Sequence, residues 1–203
     1  MKTHNAAQPL PTLESGQTLV EAGQHGTVWR VSTGVLRLER PGQDGTMLVQ
    51  LALPGDLIGV EALCAQPQAY TATALVAAKV EPLEITGELS HYATMAKGFL
   101  QQQRQTLDMV RLRSGPIQQR LAYLLTVLGK DQQGRVRVVQ RDELPTLREM
   151  AQIVDSAFET VCRELNHLMP RKPKASIKLA GAATSRKQTQ WVRRAGVPLA
   201  LAA

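Results

Sequence analysis

Near Glu88 the spacing of apolar residues changes from about two to about 3.6, and this switch constrains the fold more than any other feature of the chain. Before it, from Thr18 to about Ile85, short apolar and β-branched runs alternate with Gly, Pro and Asp. The runs predict strands at Thr18–Glu21, Thr27–Val31, Val35–Glu39, Met47–Leu53, Leu57–Val60, Ala72–Val76 and Val80–Ile85. Gly34 separates two of them, Gly42-Gln43-Asp44-Gly45 reads as a hairpin loop, and Pro54-Gly55-Asp56 as a second turn. Residues 1–17 read as a polar lead-in ending at Ser15-Gly16. Many short strands with no helix between them predict a small antiparallel barrel or roll, so the fold class is α+β.

After the switch, Glu88 to Arg113 reads as one long helix with Gly98 as its only interior breaker. Ala93, Ala96, Leu100, Leu107 and Val110 fall at the a and d positions of a heptad, and Gln103 takes an intervening d. Such a narrow stripe suits a partner helix from a second copy, with Gln103 weakening the seam but fixing its register. A helix lying along its own roll is the alternative. Ser114-Gly115-Pro116 ends the helix, and Pro116 suits the first turn of the next. Ile117, Leu121, Leu124, Leu125 and Leu128 form that helix's apolar face. Residues 129–134 read as a loop, and Arg135–Gln140 alternates like a short strand. No internal repeat is present.

Leu147 to Leu168 reads as two short amphipathic helices joined by a tight turn at Asp155-Ser156. Thr146 can cap the first, where Met150, Ala151 and Val154 recur at helical spacing. In the second, Phe158, Val161, Leu165 and Leu168 fall on one side, and Glu159, Arg163, Asn166 and His167 on the other. A packed back and a Glu/Arg/Asn/His front suit the floor of a DNA major groove, where Arg can bond guanine and Glu can accept from cytosine. An ordinary helical hairpin with a solvated polar face reads equally well from spacing alone. Ser156-Ala157-Phe158-Glu159 also fits a capping box, which would assign Glu159 to the helix end.

Charge is uneven along the 203 residues, whose formal net charge is +7. From Pro170 onward there are eight basic residues and no acidic one, leaving 16 basic and 17 acidic residues before it. A basic tail fits phosphate binding with a steep salt dependence, or a solvated extension. Cys64 and Cys162 form no metal-ligand spacing and read as buried thiols in a reducing compartment. The N-terminus lacks the apolar run of a signal peptide, and no stretch is long and apolar enough to span a bilayer. These features predict a cytoplasmic protein with no membrane partner. No phosphate-binding glycine loop or nucleophile elbow occurs, and His4, His25, His91 and His167 are isolated. A metal-dependent oxygenase on a roll would need a His/carboxylate set, and this roll holds only His25. The chain does not read as an enzyme, and no cofactor is identifiable.

Gly34-Val35-Leu36-Arg37-Leu38, Asp44-Gly45 and Pro54-Gly55-Asp56-Leu57-Ile58-Gly59 resemble strand and turn signatures of the bacterial regulators related to the cyclic-AMP receptor protein and the fumarate-nitrate regulator, the Crp/Fnr family. Arg120-Leu121-Ala122-Tyr123-Leu124-Leu125 resembles the helix that opens that family's DNA-binding domain. Met150-Ala151-Gln152-Ile153-Val154 through Glu159-Thr160-Val161-Cys162-Arg163 is similar to its helix-turn-helix. The resemblance covers roughly residues 18–168. It implies a cyclic-nucleotide-binding-like jelly roll over 1–87, a dimerisation helix over 88–114, a winged-helix-like helix-turn-helix over 115–169 and a basic tail over 170–203 with an atypical wing. The implied partners are double-stranded DNA, a second copy of the chain and RNA polymerase.

By resemblance, Glu159 and Arg163 take the base-reading positions. Thr146 and Arg148 match positions that approach phosphates, and Ser156, Phe158, Thr160 and His167 flank the reading surface. The cyclic-AMP receptor protein carries Arg where this chain has Phe158, so the half-site should differ. Ala157 replaces the usual Ser or Thr, so the cap should fall to Ser156. The effector pocket implied at Gly59, Val60, Glu61, Tyr70 and Thr71 departs further. Cyclic-nucleotide members carry Glu after the glycine matching Gly59 and Arg at the position of Tyr70. Here Glu61 comes one residue late, which on a strand points to the other face. Without the Arg a buried phosphate lacks a bidentate partner, so cyclic AMP should not bind tightly and the effector is unknown. The N-terminal cysteines that hold an iron–sulfur cluster in the other branch are also missing. Ser176–Leu179 could form one strand of a wing. The competing expectation is a small-molecule or haem-binding sensor whose DNA-binding domain is impaired by the tail.

Overall fold

A computed structural model describes residues 11–43 and 45–170 of the chain. Asp44, His4, the Ser176–Leu179 strand and the basic tail from Arg171 onward lie outside the described residues. Eight short strands form two antiparallel four-stranded sheets. One sheet has the order β1 (Thr12–Leu13), β8 (Ala78–Pro82), β3 (Trp29–Thr33), β6 (Leu57–Ile58). The other has the order β2 (Thr18–Val20), β7 (Thr71–Ala74), β4 (Leu36–Gly42), β5 (Gly45–Ala52). Strand alternation sends Val31, Ile58 and Val80 from the first sheet, and Leu36, Leu38, Ala52, Ala72 and Ala74 from the second, into one apolar core. Along β4–β5 the pairing slips between Leu38↔Gln50 and Glu39↔Leu48, so Val49 is an extra residue.

Several expectations need correction. The lead-in is not without structure: Thr12 and Leu13 pair with Lys79 and Ala78. Leu57–Val60 stops as a strand at Ile58, because Gly59 turns left-handed (φ 78°) and Val60–Cys64 continues as a 3-10 turn. Arg135–Gln140 forms only the bridge Lys130↔Val136, with Val136 and Val138 exposed. A single pair of short segments has no sheet to bury its second face.

Glu88–Arg113 forms one helix, α1. Gln105, Asp108, Met109 and Leu112 are buried, while Ala93, Ala96, Leu100, Gln103, Leu107 and Val110 are all exposed. The helix therefore lies against its own roll by one face and keeps the heptad stripe on another. Gln101 fixes it to the roll by accepting from the Leu57 N–H (2.7 Å) and donating to the Leu57 carbonyl (2.8 Å). Asp56 makes a second tie. Its Oδ2 accepts from the Leu53 N–H (2.8 Å), Arg104 Nη2 (2.6 Å) and Gln105 Nε2 (3.3 Å).

Helix α2 (Ile117–Leu128) follows, then α3 (Leu147–Ile153) and α4 (Phe158–Leu168). Leu121, Leu124, Val127, Met150, Ile153, Val154, Val161 and Leu165 pack with Met109 and Leu112 of α1 and with Val35, Leu51, Leu53 and Leu75 of the roll. Tyr123 on α2 donates its hydroxyl to Asp108 on α1; burial, together with that carboxylate, raises the hydroxyl's pKa above its ordinary value.

Thr146 caps α3 as expected. Its Oγ1 accepts from the Glu149 N–H (3.3 Å) while Glu149 Oε2 accepts from the Thr146 N–H (2.9 Å). Thr146→Ala is expected to lower the unfolding free energy by about 1 kcal/mol. Urea titration of the two proteins checks this, and an unchanged midpoint would remove the cap from the account.

Candidate functional site

The turn between α3 and α4 is held from behind. Arg120 on α2 donates from Nη1 to the carbonyls of Val154 (2.6 Å) and Asp155 (3.0 Å). These are helix-end acceptors that would otherwise be open, and Asp155 takes a positive φ of 49° to make the turn. At the far end of α4, Arg141 donates to the carbonyls of Met169 (3.0 Å) and Leu165 (3.3 Å) and to Asn166 Oδ1 (2.7 Å). A cation on the last carbonyls opposes the negative end of the helix dipole. Sequence reasoning misses both arginines as supports, because their acceptors are backbone atoms some 24 to 35 residues away.

Helix α4 buries Val161 and Leu165. Phe158 and Leu168 depart from expectation: they are 42% and 41% exposed. Glu159, Arg163, Asn166 and His167 are exposed on the other side, and Thr160 is half-buried between. Asn166 is held by Arg141. Arg163 Nε lies 3.5 Å from the carboxylate of Glu164, which is itself buried. Thr146 and Arg148 are exposed at the start of α3. The expected Ser156 cap is absent: the N-cap is Ala157, with no side-chain hydrogen bond to the helix. Glu159 is thereby not part of a capping box and its carboxylate stays open.

A second site lies between the roll and α1. A cavity of about 280 Å³ is lined by Leu38, Leu57, Ile58, Val60 and Met95 among its apolar residues, and by Gln50, Gln68 and Tyr70 among its polar ones. Gly59, Val60, Glu61 and Tyr70 are brought together on it; Thr71 is not, since its Oγ1 accepts from the Ala22 N–H (3.1 Å) in the roll. The strand-face expectation for Glu61 does not hold, because residues 60–64 are a 3-10 turn and both Val60 and Glu61 reach the cavity. No Lys or Arg is among its lining residues. Arg40 stacks on the Tyr70 ring at 4.6 Å and donates to the Ala69 carbonyl (2.9 Å). Gly98 lets α1 close over the cavity, since a Cβ there would lie 2.7 Å from a Val60 methyl.

The cysteines also depart from expectation. Cys64 is exposed at the end of the 3-10 turn and Cys162 is half-buried on α4, both as free thiols. Among the described residues no group of three His, Cys, Asp or Glu could hold a metal ion, and no helix is long and apolar enough to cross a membrane.

Residues 11–89, which hold the roll, match the family described as the cyclic nucleotide-binding domain. A CRP-family transcriptional regulator from Thermus thermophilus is similar to the chain at 25% identity and a TM-score of 0.62, over 78% of this chain and 84% of that one. A CRP/FNR-family regulator from the same organism matches at 25% identity and a TM-score of 0.56, over 79% and 85%. FixK2 from Bradyrhizobium japonicum, at 19% identity and a TM-score of 0.57 over 79% and 83%, shares the fold. No curated protein sequence matches. The two Thermus thermophilus regulators are thus similar to more than three quarters of the chain, and the family match covers its roll.

Proposed function

We propose that the chain is a homodimeric, sequence-specific DNA-binding regulator in which α3 and α4 are a helix-turn-helix and α4 is the recognition helix. The observation that carries this is the exposed Glu159, Arg163 and His167 face on a helix whose opposite face is packed and whose two ends are fixed by Arg120 and Arg141. A reading helix needs a rigid back and a polar front with free hydrogen-bonding capacity. Arg163 meets this once it leaves Glu164 for a guanine edge, and Glu159 has its carboxylate open toward a cytosine N4 amine. Thr146 and Arg148 are placed to approach phosphates, which would position the helix without reading sequence. The exposed stripe on α1 supports pairing with a second copy. Two α4 helices would then enter successive major grooves about one helical turn apart on a pseudo-palindrome. Contact with RNA polymerase is proposed only from the likeness to transcriptional regulators. Cyclic AMP is not the expected effector, because the cavity offers its phosphate no cation.

Selection of bound sequences from a random DNA pool on the purified protein tests the reading, with an inverted repeat as the expected result. On the selected site, Arg163→Ala should cost about 1–3 kcal/mol and relax one base position. Equal loss on selected and random DNA would remove Arg163 from base reading.

A further inference from the structure

The cavity between the roll and α1 holds two polar side chains with unmet hydrogen bonds. Gln50 is 3% exposed and Gln68 is 4% exposed, and both line the cavity. Gln50 Oε1 and Gln68 Nε2 are buried without a partner. Leaving a buried amide unpartnered is costly, so a fold has reason to keep two only where something else completes them. Neither side chain is there by accident of the backbone. Gln50 follows the Val49 bulge on the inward side of β5, in the place where alternation would put an aliphatic residue beside Leu38. Gln68 is tied by its backbone to the Gln24 carbonyl (2.8 Å) and the Gly23 N–H (2.9 Å). Its side chain occupies space that Gly59 leaves open: a Cβ at Gly59 would lie 2.5 Å from Gln68 Nε2.

We propose that this cavity binds an uncharged, planar molecule of about two fused rings carrying an amide-like edge, with its N–H donated to Gln50 Oε1 and its carbonyl accepting from Gln68 Nε2. The proposal rests on the reading above, in which the cavity takes an effector other than cyclic AMP. Size sets one bound, since a cavity of ~150 Å³ takes benzene and this one is nearly twice that. Charge sets another. The lining has no Lys or Arg and one carboxylate, Glu61, so an anion would be buried without a cation. Leu38, Leu57, Ile58 and Val60 supply apolar walls for the ring faces. Each carboxamide can turn over, so the ligand needs one donor and one acceptor in either order.

Calorimetric titration of the full chain with quinazolin-4-one, phthalazin-1-one and hypoxanthine tests this against naphthalene, which has the outline without the polar edge, and against cyclic AMP. At least one lactam should bind saturably and tenfold or more tighter than naphthalene or cyclic AMP. Gln50→Leu and Gln68→Leu should each weaken that lactam about tenfold and leave naphthalene unchanged. Both variants should melt at or above the parent temperature, since an apolar group replaces an unpartnered amide. No saturable lactam binding, tighter cyclic AMP, unchanged lactam affinity in both variants, or a lowered melting temperature would each overturn the proposal. The titrations use no DNA. Failure of operator selection both without and with the bound lactam would remove the DNA reading and leave this site standing.

Discussion

Asp56→Ala is expected to lower the unfolding free energy by about 3 kcal/mol, a large share of a typical domain's stability. Asp56 is 4% exposed, and one oxygen serves three donors from two parts of the fold. The Leu53 N–H closes the Pro54-Gly55-Asp56 turn, whereas Arg104 and Gln105 belong to α1. Removal leaves the Leu53 N–H without its partner in a buried turn. Gln105 keeps its bond to the Leu51 carbonyl (3.1 Å), so its loss is partial. The Arg104 side chain is 41% exposed and can return to water, which places the estimate at the low end of the range for breaking a buried pair. Asp56→Asn keeps an acceptor without the charge and should fall between the two. Urea unfolding followed by circular dichroism measures all three proteins. A loss below about 1 kcal/mol for Asp56→Ala would mean that α1 is held to the roll by apolar contact and Gln101 alone.

That junction also shows what the sequence could and could not convey. The extent of α1 was legible because a heptad stripe repeats over its whole length, and its packing face was not. Gln105 and Asp108 are buried while Leu100 and Leu107 are exposed, the reverse of what hydrophobicity suggests. The polar residues are inside because acceptors and donors from the roll and α2 await them, and those partners are far apart in the chain. The same holds for the cavity. Gln50 lies opposite Leu38 on the inward side of β5, and nothing in the run around it marks the cavity it lines. Gly59, read as lying within the strand Leu57–Val60, instead starts a 3-10 turn and so returns Glu61 to the pocket. On α4 the periodicity located the polar face correctly. It assigned Phe158 and Leu168 to the packed side because a helical wheel has no ends, and the residues at both ends of α4 prove exposed.

Leu107→Glu is expected to convert the proposed dimer to monomer without lowering the stability of the single chain. Leu107 is 60% exposed, with Leu100 at 63% and Val110 at 54%, so none of them owes its place to the core of one protomer. In a two-fold pairing of α1 with α1, each of these residues meets its own counterpart or a near neighbour across the seam. A carboxylate at Leu107 would enter the seam twice, opposite its own kind. Ala96, Leu100, Gln103 and Val110 of the stripe supply no cation to it. Burial of two unpaired like charges should raise the dimer dissociation constant by about a thousandfold, about 4 kcal/mol. Sedimentation of parent and variant across a concentration series reads this directly, and urea unfolding of the variant should match that of the dissociated parent. Operator binding should fall with the dimer, because a lone α4 engages only one half-site and loses the linkage between two. A parent that sediments as a monomer would remove the proposed dimer, and a variant that dimerises as the parent does would place the contact elsewhere than α1. Either result would leave the exposed leucines of that helix to another partner.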